Sequence, residues 1–160
     1  MLAGELYEVG LAVCSHVWPS NSKLTVCRGG GSNTTEWNHE SQGPKMAKRF
    51  ILQALKQILF NVPDFNELLS VAYLPNQSMA FHSDDEQGVQ GFIAGLLLGS
   101  DATMDFCCKG DVKNCPTLLT VTLSHGDILV MDGDTIQQKF LHRVELFGYR
   151  FAATARFIAK

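Results

Sequence analysis

The sequence lacks a run of apolar residues long enough to cross a bilayer, and its first ten residues hold no Lys or Arg. Stretches such as Phe92 to Leu98 are far too short for a spanning helix, and Met1 to Gly10 has no positive start of the secretory kind. A soluble cytoplasmic or nuclear protein with no membrane partner is the expectation. An excess of positive charge is missing too: formal charge is −3 over 160 residues, with pI near 5.9. That argues against the broadly basic surface of many nucleic-acid binders, although a short positive groove would vanish in a net sum. No C-x-x-C pair occurs among the five cysteines, Cys14, Cys27, Cys107, Cys108 and Cys115. Vicinal Cys107 and Cys108 point to opposite faces of a strand, which speaks against a soft-metal knuckle, so reduced, mostly packing thiols are expected. Gly29-Gly30-Gly31 is not followed by the Gly-Lys-Ser/Thr of a phosphate loop and reads as a flexible loop.

What is present is a chain 46% apolar, enough for one domain with its own core. Leu11 to Val17 and Leu24 to Cys27 read as short strands separated by the Pro19-Ser20-Asn21-Ser22 turn. From Pro44 to Asn61 the period changes: Met46, Phe50, Leu52, Leu55, Ile58 and Leu59 recur at helical spacing, with Lys45, Lys48, Arg49 and Lys56 mostly on the other side. Such a basic face is commonly just solvated. After Pro63 come about eight β-type segments: Leu68 to Leu74, Met79 to His82, Gly91 to Gly99, Thr103 to Cys108, Thr117 to Leu123, Ile128 to Met131, Gln138 to Val144 and Tyr149 to Ile158. Turn residues such as Gly126-Asp127 and Asp132-Gly133-Asp134 separate them. This predicts a mainly β chain with an N-terminal helix (α+β), folded as a two-sheet roll with an open mouth and a dry interior.

His82 and Asp84 are two residues apart, so on an extended strand both side chains leave one face. His142 follows sixty positions later, and Arg150 and Arg156, six apart, would share a face of the last strand. Two imidazoles and a carboxylate can occupy one triangular face of an octahedral iron(II), leaving the other for a bidentate cosubstrate and O2. A dicarboxylic cosubstrate in a dry site calls for planar, permanently charged forks, which Arg supplies better than Lys. Taken singly, each of these residues is more often a satisfied core or surface group; their order along the chain gives them weight.

These residues resemble the AlkB-like Fe(II)/2-oxoglutarate dioxygenases, from about Trp37 to the C-terminus. Tyr73-Leu74-Pro75-Asn76 stands where that family has a tyrosine that hydrogen-bonds 2-oxoglutarate. His82-Ser83-Asp84-Asp85-Glu86 looks like its H-x-D-D-E iron motif, Phe140-Leu141-His142-Arg143 like its distal histidine, and Arg150 to Arg156 like its R-x5-R signature. The resemblance implies a double-stranded β-helix (jelly roll) spanning residues 1–160 as one domain, with 1–43 a short lid-like region. It implies Fe(II) held by His82, Asp84 and His142, and 2-oxoglutarate held by Tyr73, Arg150 and Arg156, Arg150 taking the distal carboxylate. Glu86 and Trp37 would meet a methylated base, Glu86 by charge and Trp37 by stacking, as against a solvated acid and a packing indole. Arg28, Lys45 and Arg143 could meet phosphates, but no pattern singles them out. Val71 and Ala152 depart from the family, standing where relatives place asparagines against the cosubstrate.

The implied function is oxidative demethylation of N-alkylated bases in DNA or RNA by a monomer, coupling 2-oxoglutarate decarboxylation, with O2, to C–H hydroxylation. Activity should fall in acid, because metal binding needs an ionised Asp84 and neutral histidines. Two alternatives stand beside it: the same iron chemistry on a protein or small molecule, and a binding module that has lost turnover through Val71 and Ala152.

Overall fold

The computed structural model describes residues 15–17, 24–28, 31–33 and 42–159, apart from 63, 76, 86 and 111–114. Strands β1 (Ser15–Val17), β2 (Leu24–Arg28) and β3 (Gly31–Asn33) precede helix α1 (Gln42–Ile58). Then come β4 (Glu67–Tyr73), β5 (Ser78–His82), β6 (Val89–Gly99), β7 (Ala102–Cys108), β8 (Leu119–Leu123) and β9 (Ile128–Asp132). A one-turn-and-more helix α2 (Gly133–Lys139) leads into β10 (Phe140–Leu146) and β11 (Arg150–Ile158). The strands form a larger sheet in the order β3-β2-β1-β4-β11-β6-β9 and a smaller one in the order β5-β10-β7-β8, every pairing antiparallel.

Period-two alternation explains how the sheets stack. In β6, Ala94, Leu96 and Leu98 face α1, where Ala47, Ile51 and Leu55 meet them together with Leu68, Phe151, Ala153 and Ala155. Ile93 and Leu97 of the same strand face the smaller sheet and pack with Met104, Phe106, Leu123, Val144 and Leu146. Burial on both faces is why β6 is a nearly unbroken apolar run. The space between the sheets is the interior of a jelly roll, and the residues reserved for chemistry line it. No helix among the described residues is long and apolar enough to cross a membrane.

Several expectations need correction. The helix starts and ends earlier than the apolar pattern suggested, at Gln42 and Ile58. Residues 133–139, expected as a turn running into a strand, are α2, and the following strand begins only at Phe140. Asp134 and Thr135 supply polar residues for the first turn, and Thr135 Oγ1 donates to Asp132 at 3.2 Å. Gly31 is not loop but the first residue of β3, paired with Arg28. Nor are all the cysteines reduced packing thiols: Cys107 and Cys115 form a disulfide, and Cys108 is free and exposed. The vicinal pair does point to opposite faces, Cys107 being fully buried. Cys14 and Trp37 lie outside the described residues.

Candidate metal and cosubstrate site

His82 ends β5 and His142 lies on β10, and the two are direct cross-strand partners. Their ring centroids are 4.2 Å apart. Just beyond that pair the ladder slips by one residue, between His142 and Val144. Asp84 follows β5 and turns back between the imidazoles, its carboxylate oxygens 3.6 Å from His82 Nε2 and 3.6 Å from His142 Nε2. One donor atom from each of the three lies within 4.8 Å of the others. His82 Nδ1–H donates to the Ala80 carbonyl at 2.8 Å, which fixes the tautomer and leaves the Nε2 lone pair facing Asp84.

The loop carrying Asp84 is pinned from two directions. Its own N–H donates to Gln137 Oε1 at 2.8 Å, and Gln137, buried on α2, also donates to Met131 Sδ at 3.8 Å. Next door, Asp85 accepts from Lys109 Nζ at 2.5 Å and from Ser83 Oγ at 2.7 Å, contacts that hold its carboxyl below the usual range. Gln137 escapes sequence reasoning because it belongs to the helix that looks like a strand. Its removal tests its role: Gln137→Leu should weaken binding of Mn(II) or Co(II) by about tenfold or more. Calorimetric titration reads this, with an unchanged melting temperature as control; equal affinities would make Gln137 a packing residue only.

His142 is only 4% exposed, and its buried Nδ1 has no hydrogen-bond partner among the described residues. Burial pushes its pKa down to about 4, the Asp84 carboxylate opposing the shift and His82 adding to it. A neutral imidazole is the form that ligates a cation. Between the ordinary histidine value and about 4 the unfolded chain takes up a proton that the folded chain refuses. Metal-free protein should therefore keep its full stability above pH of about 6.5 and lose it as pH falls toward 4, which urea midpoints across that range would measure.

A cavity of about 190 Å³ runs from these ligands between the sheets, and Tyr73, Arg150, Thr154 and Arg156 of the larger sheet line it. Arg150 opens β11 opposite Tyr73 on one side and Gly99 on the other. Gly99 has φ of +105°, and a side chain there would collide with the Tyr149 carbonyl, so only glycine allows β11 to begin where it does. Arg150 is 1% exposed; Nη1 donates to the Ser100 carbonyl and, at 3.1 Å, to the Leu123 carbonyl, while buried Nη2 has no partner among the described residues. Desolvation lowers its pKa, with Asp101, Asp127 and Tyr73 opposing, yet a guanidinium remains charged. Arg156 also lines the cavity, but it donates through Nε to buried Glu67, its cross-strand partner. Tyr73 O–H lies 3.9 Å from Met79 Sδ. Val71 and Ala152, opposite one another on β4 and β11, add an apolar wall. Arg143 forks onto Asp105 at 2.9 and 3.0 Å. Glu86 lies outside the described residues.

A family model described as the 2OG-Fe(II) oxygenase superfamily matches residues 18–147. The chain belongs to that superfamily. Fe(II), 2-oxoglutarate and O2 are accordingly the reagents of this oxygenase, and its residues suit them. Two nitrogens and a carboxylate form the donor set that iron(II) takes in such enzymes, and a buried guanidinium on the wall of a mostly apolar cavity suits a carboxylate. Among solved structures the oxygenase is similar to OsALKBH1, at 16% identity and TM-score 0.57 over 97% of this chain and 91% of that one. That likeness shows an AlkB-like fold. A cupin superfamily protein from Desulfitobacterium hafniense matches 62% of this chain and 72% of its own, at 14% identity and TM-score 0.41. Hydroquinone 1,2-dioxygenase from Sphingomonas matches 62% of this chain and 26% of its own, at 14% identity and TM-score 0.44. No curated protein sequence matches significantly.

Proposed function

We propose that this oxygenase demethylates N-alkylated nucleobases in DNA or RNA, taking residues 1–160 as one domain with residues 1–43 as a short lid. In this reading His82, Asp84 and His142 hold Fe(II), and Arg150 takes the distal carboxylate of 2-oxoglutarate. Tyr73 and Arg156 lie along the rest of the cosubstrate, with Arg156 oriented by Glu67. The observation that carries the chemistry is one mostly apolar cavity lined both by three side chains with converging donor atoms and by Arg150, whose buried Nη2 has no partner among the described residues. Bound iron and cosubstrate supply an oxidant able to hydroxylate a C–H bond, with release of succinate and CO2. The chain's own part is to position: the pinned Asp84 loop fixes the metal face, and the apolar walls exclude water.

A nucleobase as the reacting group rests on the H-x-D-D-E motif and the AlkB-like fold. Hydroxylation of an N-methyl carbon gives a carbinolamine that collapses to formaldehyde and the free base, and Glu86 and Trp37 are the residues assigned to that base. The test is mass spectrometry of a panel of methylated oligonucleotides incubated with the protein, Fe(II), ascorbate and 2-oxoglutarate. Loss of one methyl mark with matching succinate is the expected result. Succinate accumulating over an unchanged panel would move the reaction to a protein or small molecule, which the net charge of −3 favours. No succinate at all would leave a binding module with Val71 and Ala152 as the cause.

A further inference from the structure

Helix α1 is 17 residues long and contains four cations, Lys45, Lys48, Arg49 and Lys56, and no Asp or Glu. In a chain of net charge −3 such segregation of sign is unusual. The fold determines where those charges point. Ala47, Ile51 and Leu55 are buried on the outer face of the larger sheet, so Lys45, Arg49 and Lys56 lie on the side of the helix turned away from that sheet. At 100° per residue Lys45, Arg49 and Lys56 fall within about 40° of one another, a stripe about 16 Å long. Arg49 and Lys56 are exposed, and Lys48 and Gln53 share a shallow groove with them. Phe60, two residues beyond the helix and one turn past Lys56, is completely exposed and offers a flat ring.

We propose that this stripe is a track for the phosphodiester backbone of a single-stranded nucleic acid. Cations at intervals along a rod match a flexible chain of phosphates, and an aromatic ring beside them gives a base a surface to stack on without sequence preference. The stripe lies across the larger sheet from the cavity, since Ala153 and Ala155 of β11 face α1 while Ala152, Thr154 and Arg156 face the cavity. A strand held on both therefore has to pass around an edge of the roll. Affinity then grows with strand length, and a short oligonucleotide confined to the cavity mouth gains nothing. The proposal deepens the reading of the substrate as a nucleic acid, but the binding it describes needs no turnover.

The experiment is fluorescence anisotropy of the full chain with an unmethylated single-stranded oligonucleotide of about 20 nucleotides, from roughly 50 to 200 mM salt. Wild type is compared with the triple variant K45E/R49E/K56E. Lys48 is left alone because it is half-buried near Asp64. Circular dichroism and 2-oxoglutarate turnover with a methylated mononucleoside confirm that the variant is folded and catalytically intact. Three phosphate contacts predict a log–log salt slope of about −2 for wild type, and its loss in the variant together with a fall in affinity of about tenfold or more. Unaltered affinity and slope in a folded variant would overturn the track, as would equal binding of polyglutamate of matched charge. Should methylated oligonucleotides resist demethylation while the variant still loses this binding, the track stands and the demethylase reading falls.

Discussion

Asp84→Ala should abolish 2-oxoglutarate turnover while leaving the fold intact, and His82→Ala should do the same. Asp84 is the only anionic donor in the cluster among the described residues, and its oxygens lie 3.6 Å from each of the two imidazoles. Removing it leaves two neutral nitrogens, which lose the charge attraction that holds a divalent ion against its hydration shell. Several kcal/mol of transition-state stabilisation vanish with the metal, so succinate release should drop by about a thousandfold or more. Stability should change little, because Asp84 and His82 are only part-buried at the end of β5 and neither belongs to a hydrophobic cluster. Circular dichroism, a Mn(II) titration and the succinate assay together separate lost metal from lost fold. Wild-type rates in either variant would refute the metal assignment.

Arg150→Lys should raise the KM for 2-oxoglutarate by about 30-fold to 100-fold, equivalent to roughly 2–3 kcal/mol of a charge-assisted hydrogen bond in a dry site. The native side chain is divided: Nη1 is committed to the Ser100 and Leu123 carbonyls, and Nη2 has no partner among the described residues. An ammonium has no such division. It satisfies the carbonyls or the carboxylate, because its donors radiate from one point rather than from a planar fork. The apolar pair Val71 and Ala152 offers no substitute contact across the cavity, which places more of the binding on Arg150. Melting temperature is measured in parallel, since losing a buried carbonyl tie also destabilises. A KM unchanged in a folded variant would make Arg150 a structural tie between β6, β8 and β11, with the cosubstrate held elsewhere.

The candidate metal cluster is legible because local geometry encodes it: a spacing of two at a strand end is short-range, and the closing turns and strands bring His142 onto the strand beside His82. The strands after Pro63 were legible for the same reason, through alternation and turn residues. What stayed hidden depends on long-range register or competing local signals. Glu67 meets Arg156 across 89 positions, a pairing that no window of sequence contains. Gln137 was lost because Asp132-Gly133-Asp134 has turn chemistry, while its backbone becomes the start of α2. The reduced-thiol expectation rested on the missing C-x-x-C spacing, whereas Cys107 and Cys115 are eight residues apart, one on β7 and the other in the segment leading to β8. Trp37 and Glu86, outside the described residues, remain assignments by resemblance.

Strand β5 is one of the two outer members of the smaller sheet, and among the described residues it is bonded to β10 on one side only. Such borders fray first. An ion gripped by His82, by its facing neighbour His142 and by the turn beyond would rivet that border to the interior, adding a crosslink where backbone pairing runs out. Loading the protein with a divalent cation should thus slow amide exchange along residues 78–84 more than across β6 or β11, whose ladders are complete on both flanks. Catalytic readiness and mechanical integrity of that border would be one and the same event.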